Sequence, residues 1–289
     1  MGIVTKLRQL KPYYKLYSNW LYILYSIFKK NKNIKVKLRC GTINDIEFEN
    51  IFDYTFKNYY DISHGVITLG TLKLKLKDEN ADMYNGDIGA VFIKEDYKWL
   101  KPKNNVVIDI GANIGDTSIY FALNGAKRVI AIEPSPYAFK NLIRNINSNS
   151  VNNVLPINAG ISSEIGVIKL KDEIRDVTGV KALNQAEGLE IPVFTITTLL
   201  NRYKLYGENL VLKMDCEGCE FDSLINENSN TINMFSEIFM EYHNKPYPLI
   251  SKLSNLKFRV YINNYEITDL KKIPNKILNS RLGYIYAVR

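Results

Sequence analysis

A glycine-rich turn follows an apolar run near the middle of the chain, where residues 106–117 read VVIDIGANIGDT. Gly111 and Gly115 allow the backbone to turn tightly and to approach a ligand, and Asn113 is one of the few other residue types that tolerate a left-handed conformation. Glu133 ends the next apolar run, and a carboxylate at that place accepts hydrogen bonds from both hydroxyls of a ribose. The pattern predicts a nucleoside site; the alternative is a tight strand-to-helix turn without a ligand.

The charges around this turn favour S-adenosylmethionine over a dinucleotide. Asp116 stands where a dinucleotide fingerprint has its third glycine, and together with Asp109 and Glu133 it would repel a pyrophosphate. S-adenosylmethionine has no phosphate, and carboxylates attract its sulfonium and ammonium groups. The predicted cofactor-binding residues are Asp109, Gly111, Asn113, Gly115, Asp116, Thr117, Glu133, Asn158 and Asp215.

A second group of acids lies in residues 215–222, which read DCEGCEFD, and a further acid and a histidine follow in the sequence IFMEYH. Transfer of a methyl group requires the acceptor to lose a proton, and His243 is the preferred general base. Asp215 or Glu217 orients or replaces that base in the alternative assignment, and a structural alternative is that the acids cap the following helix. The predicted catalytic residues are His243, Asp215, Glu217 and Glu241.

The same side chains leave a divalent metal open, because carboxylate oxygens and imidazole nitrogens are also metal ligands. The spacing does not decide this question, and no residue is assigned to a metal. Cys216 and Cys219 provide half of a zinc site at most, so they are interpreted as small buried residues. Three cysteines in the whole chain are typical of a protein of a reducing cytoplasm.

The elements that position these residues alternate between buried-type strands and segments of helical spacing. This alternation predicts an α/β fold with a doubly wound, mostly parallel sheet, and two short strands at the end of the chain predict an antiparallel edge pair. The predicted strands are Val106–Ile110, Val129–Ile132, Val154–Asn158, Leu210–Met214, Ile238–Glu241, Phe258–Ile262 and Tyr284–Val288.

The first hundred residues have a different pattern. Apolar residues up to Phe28 recur at helical spacing, whereas the apolar runs between Ile34 and Leu100, which include Ala90–Ile93, indicate short strands. The predicted domains are therefore a basic amphipathic helical extension at 1–33, a small β-rich cap at 34–100 and a cofactor-binding domain at 101–289.

Ten Lys and Arg residues precede the first acid, Asp45, which leaves 28 cations and 30 anions in the rest of the chain. Because a surface that grips a phosphate backbone usually has a basic surplus, nucleic acid is predicted to be an unlikely partner. The basic, aromatic helix around Trp20–Phe28 is too short to span a bilayer. It either lies at the inner face of a membrane as a peripheral anchor or packs on the protein itself.

The segments VVIDIGANIGDTSIYFALNGAKRVIAIEP, VLKMDCEGCEFDSL and IFMEYH, in that order, resemble the FkbM family of S-adenosylmethionine-dependent methyltransferases. The D-x-E-G-x-E pattern at 215–220 is the specific part of this resemblance. It implies a seven-stranded Rossmann-like sheet with an antiparallel last strand and an O-methyltransferase that acts on hydroxyl groups.

The expected acceptor is a sugar or glycan, which could be lipid-linked, or another small metabolite. The alternative is a tRNA or rRNA methyltransferase, which the sequence GAKRVIAIEPSPYAFKNLIRNINSN favours. Against this alternative, residues 215–218 read DCEG where methylases of base nitrogens usually have an Asn or Asp followed by two prolines. A third hypothesis is a non-catalytic, membrane-associated module that retains the cofactor fold.

Overall fold

The structure is a computed structural model in which the chain forms two compact units, Met1–Asp96 and Tyr97–Arg289. Each unit is described separately. The three-part domain division stays a prediction. The structure describes residues 13, 17–37, 43–51, 55, 60–63, 66–69, 74–77, 89–171 and 187–289.

Among its described residues, the first unit contains the α-helix Trp20–Phe28, the short helical segments Phe48–Asn50 and Gly89–Lys94, and two small antiparallel sheets. Helix α1 buries Ile23 in an apolar cluster with Ile34 and Val36 of the first strand, which confirms for this face that the helix packs on the protein. Ala90–Ile93 lies in a helical turn, Gly89–Lys94, so the predicted strand there is wrong; a short apolar run does not distinguish strand from helix. The elements are α1 Trp20–Phe28, β1 Asn33–Lys37, β2 Ile43–Glu47, β3 Tyr60–Ser63, β4 Val66–Leu69 and β5 Leu74–Lys77.

In the described part of the chain, every helix is too short or too polar to span a membrane.

The second unit is a doubly wound α/β domain. Its elements are β6 Val106–Ile110, α2 Asp116–Leu123, β7 Arg128–Ile132, α3 Pro136–Ser148, β8 Val154–Ile157, β9 Gly160–Ile161, β10 Gly166–Leu170, β11 Leu189–Phe194, α4 Ile196–Arg202, β12 Leu210–Met214, α5 Cys219–Asn226, α6 Ser229–Ile232, β13 Phe235–Tyr242, α7 Tyr247–Asn255, β14 Arg259–Ile262, β15 Tyr265–Ile267, α8 Asn275–Leu278 and β16 Gly283–Val288. The largest sheet has the strand order β15-β14-β16-β13-β12-β6-β7-β8, and a small separate sheet has the order β10-β11-β9.

The large sheet confirms the predicted Rossmann-like architecture. Strands β13, β12, β6, β7 and β8 run parallel, whereas β16 pairs antiparallel with both β13 and β14. The sheet has eight strands, not the seven that the family resemblance implies, because the short strand β15 adds to its edge by pairing with β14.

The central strands are apolar because helices cover both faces of a parallel sheet. All five residues of β6 and all five of β12 are buried. The chain proceeds from β6 outward through β7 to β8 and then returns to β12 on the other side of β6. The order of the strands therefore reverses between β6 and β12, and in such folds ligands bind outside the carboxyl ends of the strands at this point.

Candidate functional site

The glycine turn lies at the carboxyl end of β6, as the sequence predicts. Gly111, Asn113 and Gly115 all have positive φ angles, of 74°, 45° and 88°. A side chain at Gly111 would collide with the backbone carbonyl of Asp215, so this glycine allows the loops after β6 and β12 to pack against each other. The turn and Asp215 thus meet at the point where the strand order reverses.

Glu133, after β7, has both of its carboxylate oxygens bound to backbone amides. Asn113 N donates to Oε2 and Ser135 N to Oε1, both at 2.8 Å. Burial raises the pKa of Glu133 to about 7, although the two amides and the nearby Lys213 oppose this shift. Asn158 donates through its amide to the carbonyls of Glu133 and Pro134 and so fixes the end of this strand. The carboxylate is therefore held in one orientation.

Both carboxylate oxygens of Asp109 contact side chains inside the protein. Its Oδ1 forms an ion pair of 3.0 Å with Lys213, and its Oδ2 accepts from the hydroxyls of Thr117 and Ser118 at 2.7 and 2.5 Å. Asp109 and Lys213 are almost fully buried. These contacts show Asp109 and Thr117 ordering the turn from inside, and Asp116 is the first residue of α2.

Lys213 connects this ion pair to the backbone of the turn. Its ammonium donates to the carbonyl of Gly111 at 2.7 Å and lies 5.6 Å from the centre of the Tyr97 ring. Burial opposes the charge, but Asp109, Asp215 and Asp116 outweigh it and raise the pKa of Lys213. A permanent positive charge therefore lies beneath the acids of the site.

Tyr97 positions Asp215. The tyrosine hydroxyl donates to Asp215 Oδ2 at 3.0 Å, and the ring makes edge contacts with Phe121 and Phe239. Burial, followed by the neighbouring acids, raises the pKa of Tyr97 well above its ordinary value. The tyrosine therefore stays a neutral donor to the carboxylate.

The loop after β12 is organised by Glu220, a fully buried residue. Its carboxylate accepts from the backbone amides of Cys216 and Gly218, both at 2.9 Å. Glu217 projects from the same loop with a positive φ of 54° and is half exposed. Asp222 points elsewhere and accepts from Ser162 and Ser163, so it is separated from the other acids of this segment.

Cys216 and Cys219 form a disulfide. The interpretation of these cysteines as small buried residues does not include this bond, and of the two only Cys219 is buried. A separation of three residues brings the two Cβ atoms within bonding reach when the loop turns into a helix, and here α5 begins at Cys219.

His243 follows β13 and lies between two carboxylates. Its Nε2 is 3.4 Å from Glu217 and its Nδ1 is 3.4 Å from Glu220. Glu220 first, and then Glu217 and Asp215, raise the pKa of His243 to about 9 against the opposing effect of burial. The ring is therefore protonated at neutral pH, and the proton must leave before His243 can act as a base.

Asp215, Glu241 and His243 place one donor atom each within 4.8 Å of the others. Such a group has the donor types of a divalent cation site. Acidic groups commonly lie this close together without an ion, and we assign no metal to these three residues.

Three residues that organise the site are absent from the predicted set. Lys213 is visible in the sequence as a single lysine inside an otherwise apolar strand, and such a lysine needs a buried acid as partner. Glu220 belongs to the D-x-E-G-x-E pattern but carries no predicted role. Tyr97 gives no sequence signal, because it contacts Asp215 across 118 residues of chain.

The sheet is doubly wound, with the glycine turn after β6, an acid suited to a ribose after β7 and an acidic loop after β12. These features together define the class of Rossmann-like S-adenosylmethionine-dependent methyltransferases. Residues 109–284 match the Methyltransferase FkbM domain, and the chain belongs to this family. Its cofactor is S-adenosylmethionine.

Other comparisons give more distant similarities. A tRNA(Phe) (4-demethylwyosine(37)-C(7)) aminocarboxypropyltransferase from Pyrococcus horikoshii is 30% identical over 132 residues, which are 43% of this chain and 43% of the relative. The chain thus matches less than half of that relative. Aeropyrum pernix fibrillarin with bound S-adenosyl-L-methionine is 14% identical, with 89% of this chain and 94% of that chain covered and a TM-score of 0.41. M. jannaschii TYW2 in complex with AdoMet is 15% identical, with 79% of this chain and 84% of that chain covered and a TM-score of 0.36.

The prediction that nucleic acid is an unlikely partner is wrong, because the Pyrococcus horikoshii relative is a tRNA-modifying enzyme. The argument relied on the summed charge of residues 45–289. A sum does not show where the cations lie, and a local basic patch can bind phosphates on a protein of nearly neutral charge.

Proposed function

We propose that the chain transfers the methyl group of S-adenosylmethionine to a hydroxyl oxygen and that His243 is the general base. The observation that carries this proposal is the position of His243 beside Asp215, at the sheet edge where the cofactor turn lies. The acceptor oxygen attacks the methyl carbon, the carbon–sulfur bond breaks, and its electron pair neutralises the sulfonium. The acceptor proton passes to a ring nitrogen of the neutral form of His243, after the ring has lost the proton that it carries at neutral pH.

In this proposal the other residues bind and orient the reactants. Glu133 accepts hydrogen bonds from the ribose hydroxyls, since each of its oxygens can accept a second donor besides the backbone amide. Asp215, held by Tyr97, attracts the cationic groups of the cofactor. Glu241, which has a carboxylate oxygen within 4.8 Å of a ring nitrogen of His243, holds the acceptor hydroxyl in this proposal, and Glu217 keeps the ring of His243 in position.

The first candidate for the acceptor is a sugar, a glycan or another small metabolite with a hydroxyl group. RNA is the second candidate, and the tRNA-modifying relative of Pyrococcus horikoshii is the observation that favours it. A ribose hydroxyl of RNA is chemically equivalent to a sugar hydroxyl, so the same base and the same in-line displacement serve both candidates.

The experiment offers the purified protein S-adenosylmethionine with an isotopically labelled methyl group, together with separate fractions of total tRNA, rRNA, glycans and small metabolites. We expect label in one fraction, and a rate of labelling lower by about 10²–10⁴-fold with His243→Ala. Label on an oxygen supports the proposal, and its fraction identifies the acceptor. Label on a carbon or nitrogen atom, or label transferred equally by His243→Ala, contradicts it.

A further inference from the structure

The Cys216–Cys219 disulfide closes a short loop directly after Asp215. Glu217 and Gly218, the two residues inside this loop, have consecutive positive φ angles of 54° and 113°. A left-handed conformation is unfavourable for a glutamate, so the surrounding contacts must hold it in place. The disulfide and the two amides bound by Glu220 are those contacts.

The closed loop touches both parts of the proposed site. The backbone of Asp215 and Cys216, where the closed loop begins, lies against Gly111, where a side chain would not fit. Glu217 from inside the loop and Glu220 just beyond it contact the two ring nitrogens of His243. A change in the loop would therefore reach the cofactor turn and the base together.

We propose that Cys216 and Cys219 are a site of reversible thiol–disulfide exchange with small thiols, and that the disulfide keeps the loop in the geometry that binds S-adenosylmethionine. This inference rests on the cofactor site proposed above. Reduction releases the loop, Glu217 leaves its left-handed conformation, and the support of the turn at Gly111 is weakened.

The two sulfurs differ in a way that sets the direction of the exchange. Cys216 is partly exposed, whereas Cys219 is 4% exposed and is the first residue of α5. Glu220 Oε1 lies 3.4 Å from Cys216 Sγ and disfavours a negative charge on that sulfur. An incoming thiol should therefore attack Cys216 and expel Cys219.

Dithiothreitol is the probe for this reaction. One of its thiolates attacks Cys216 Sγ, the disulfide breaks, and the electron pair leaves on Cys219. The second thiol of the reagent closes a cyclic disulfide and releases Cys216. The reagent loses two electrons and two protons, and the cysteine pair gains them.

The test measures free thiols and S-adenosylmethionine affinity on the full chain, first after oxidised glutathione and then after dithiothreitol. The chain has three cysteines, so we expect one free thiol in the oxidised protein and three in the reduced protein. Reduction should weaken cofactor binding about three- to tenfold, which corresponds to a competent loop populated about a third to a tenth of the time. Reoxidation should restore the affinity.

Two variants complete the test. Cys40→Ser, whose position lies outside the described residues, should retain the switch, whereas Cys216→Ser with Cys219→Ser should bind with the reduced-state affinity in both conditions. Three free thiols after oxidised glutathione, or equal affinity in the two states, would overturn the proposal. If S-adenosylmethionine binds in neither state, the cofactor site itself is wrong. Equal affinity in the two states would instead leave the cofactor site intact and contradict only the redox proposal.

Discussion

At the scale of single residues, the site depends on side chains whose charge and orientation are fixed by contacts inside the protein. Glu133 has two backbone amides, and Asp215 has a tyrosine hydroxyl. The types of the predicted residues showed which chemistry is available. Their orientation depends on Lys213, Glu220 and Tyr97, and such distant partners cannot be read from local spacing.

Glu133 should make cofactor binding depend on pH. Its pKa is about 7, and the ionised form is the one that accepts hydrogen bonds from ribose. Affinity should therefore fall as pH decreases through 7, by about tenfold between pH 8 and pH 6 if only the ionised form binds. Titration calorimetry with S-adenosylmethionine measures this dependence.

The control is Glu133→Gln, which keeps the size of the side chain and removes its charge. At pH 8 it should bind the cofactor more weakly by about 1–3 kcal/mol, the contribution of charge-assisted hydrogen bonds, and its affinity should not change between pH 6 and pH 8. Unchanged affinity in this variant would show that the ribose does not lie on Glu133.

Lys213 should contribute strongly to stability. Lys213→Met leaves the carboxylate of Asp109 buried without its ion-pair partner, so the free energy of unfolding should decrease by about 3–5 kcal/mol. Lys127→Met is the matched control, because Lys127 pairs with Glu208 at the surface, where its side chain is 58% exposed. This control should change the free energy by about 0–1 kcal/mol. Urea unfolding of both variants decides the matter, and equal midpoints would argue against the structural role of the buried pair.

At the scale of elements, the parallel strands were predictable because β-branched apolar runs are typical of strands covered on both faces. Val106–Ile110 and Leu210–Met214 have the predicted bounds. The strand β15 was not predicted, because it has only three residues, two of them exposed, and only its pairing with β14 defines it. The strand predicted at Ala90–Ile93 is wrong because an apolar run alone does not distinguish a strand from a helix.

The contact between the loops after β6 and β12 should make Gly111 irreplaceable. Gly111→Ala places a Cβ against the carbonyl of Asp215 and imposes a left-handed alanine, which alone costs about 1–2 kcal/mol. We expect lower stability and loss of S-adenosylmethionine binding. Gly166→Ala is the control, because nothing lies within 4 Å of a Cβ there. Thermal melting and calorimetry measure both effects, and wild-type cofactor affinity in Gly111→Ala would contradict the proposed role of this turn.

At the scale of the whole molecule, the FkbM family domain covers residues 109–284, and Tyr97, which orients Asp215, lies outside that range. The distribution of charge along the chain locates a basic N-terminal segment but does not identify a partner. The basic surplus before Asp45 is real, but the exclusion of nucleic acid that was drawn from it is not supported by the tRNA-modifying relative. An acceptor is recognised by a local surface, which a total charge does not describe.

Methyl transfer measured against pH, for the wild type and for His243→Ala, tests the central claim most directly. The measurement uses the acceptor fraction that takes up label and saturating S-adenosylmethionine. Because the pKa of His243 is about 9 and the base must be neutral, the wild-type rate should rise with pH up to about that value. His243→Ala should lose about 10²–10⁴-fold in rate at unchanged cofactor affinity. A variant that retains wild-type turnover, or a wild-type rate that falls as pH rises from 7 to 9, would contradict the account.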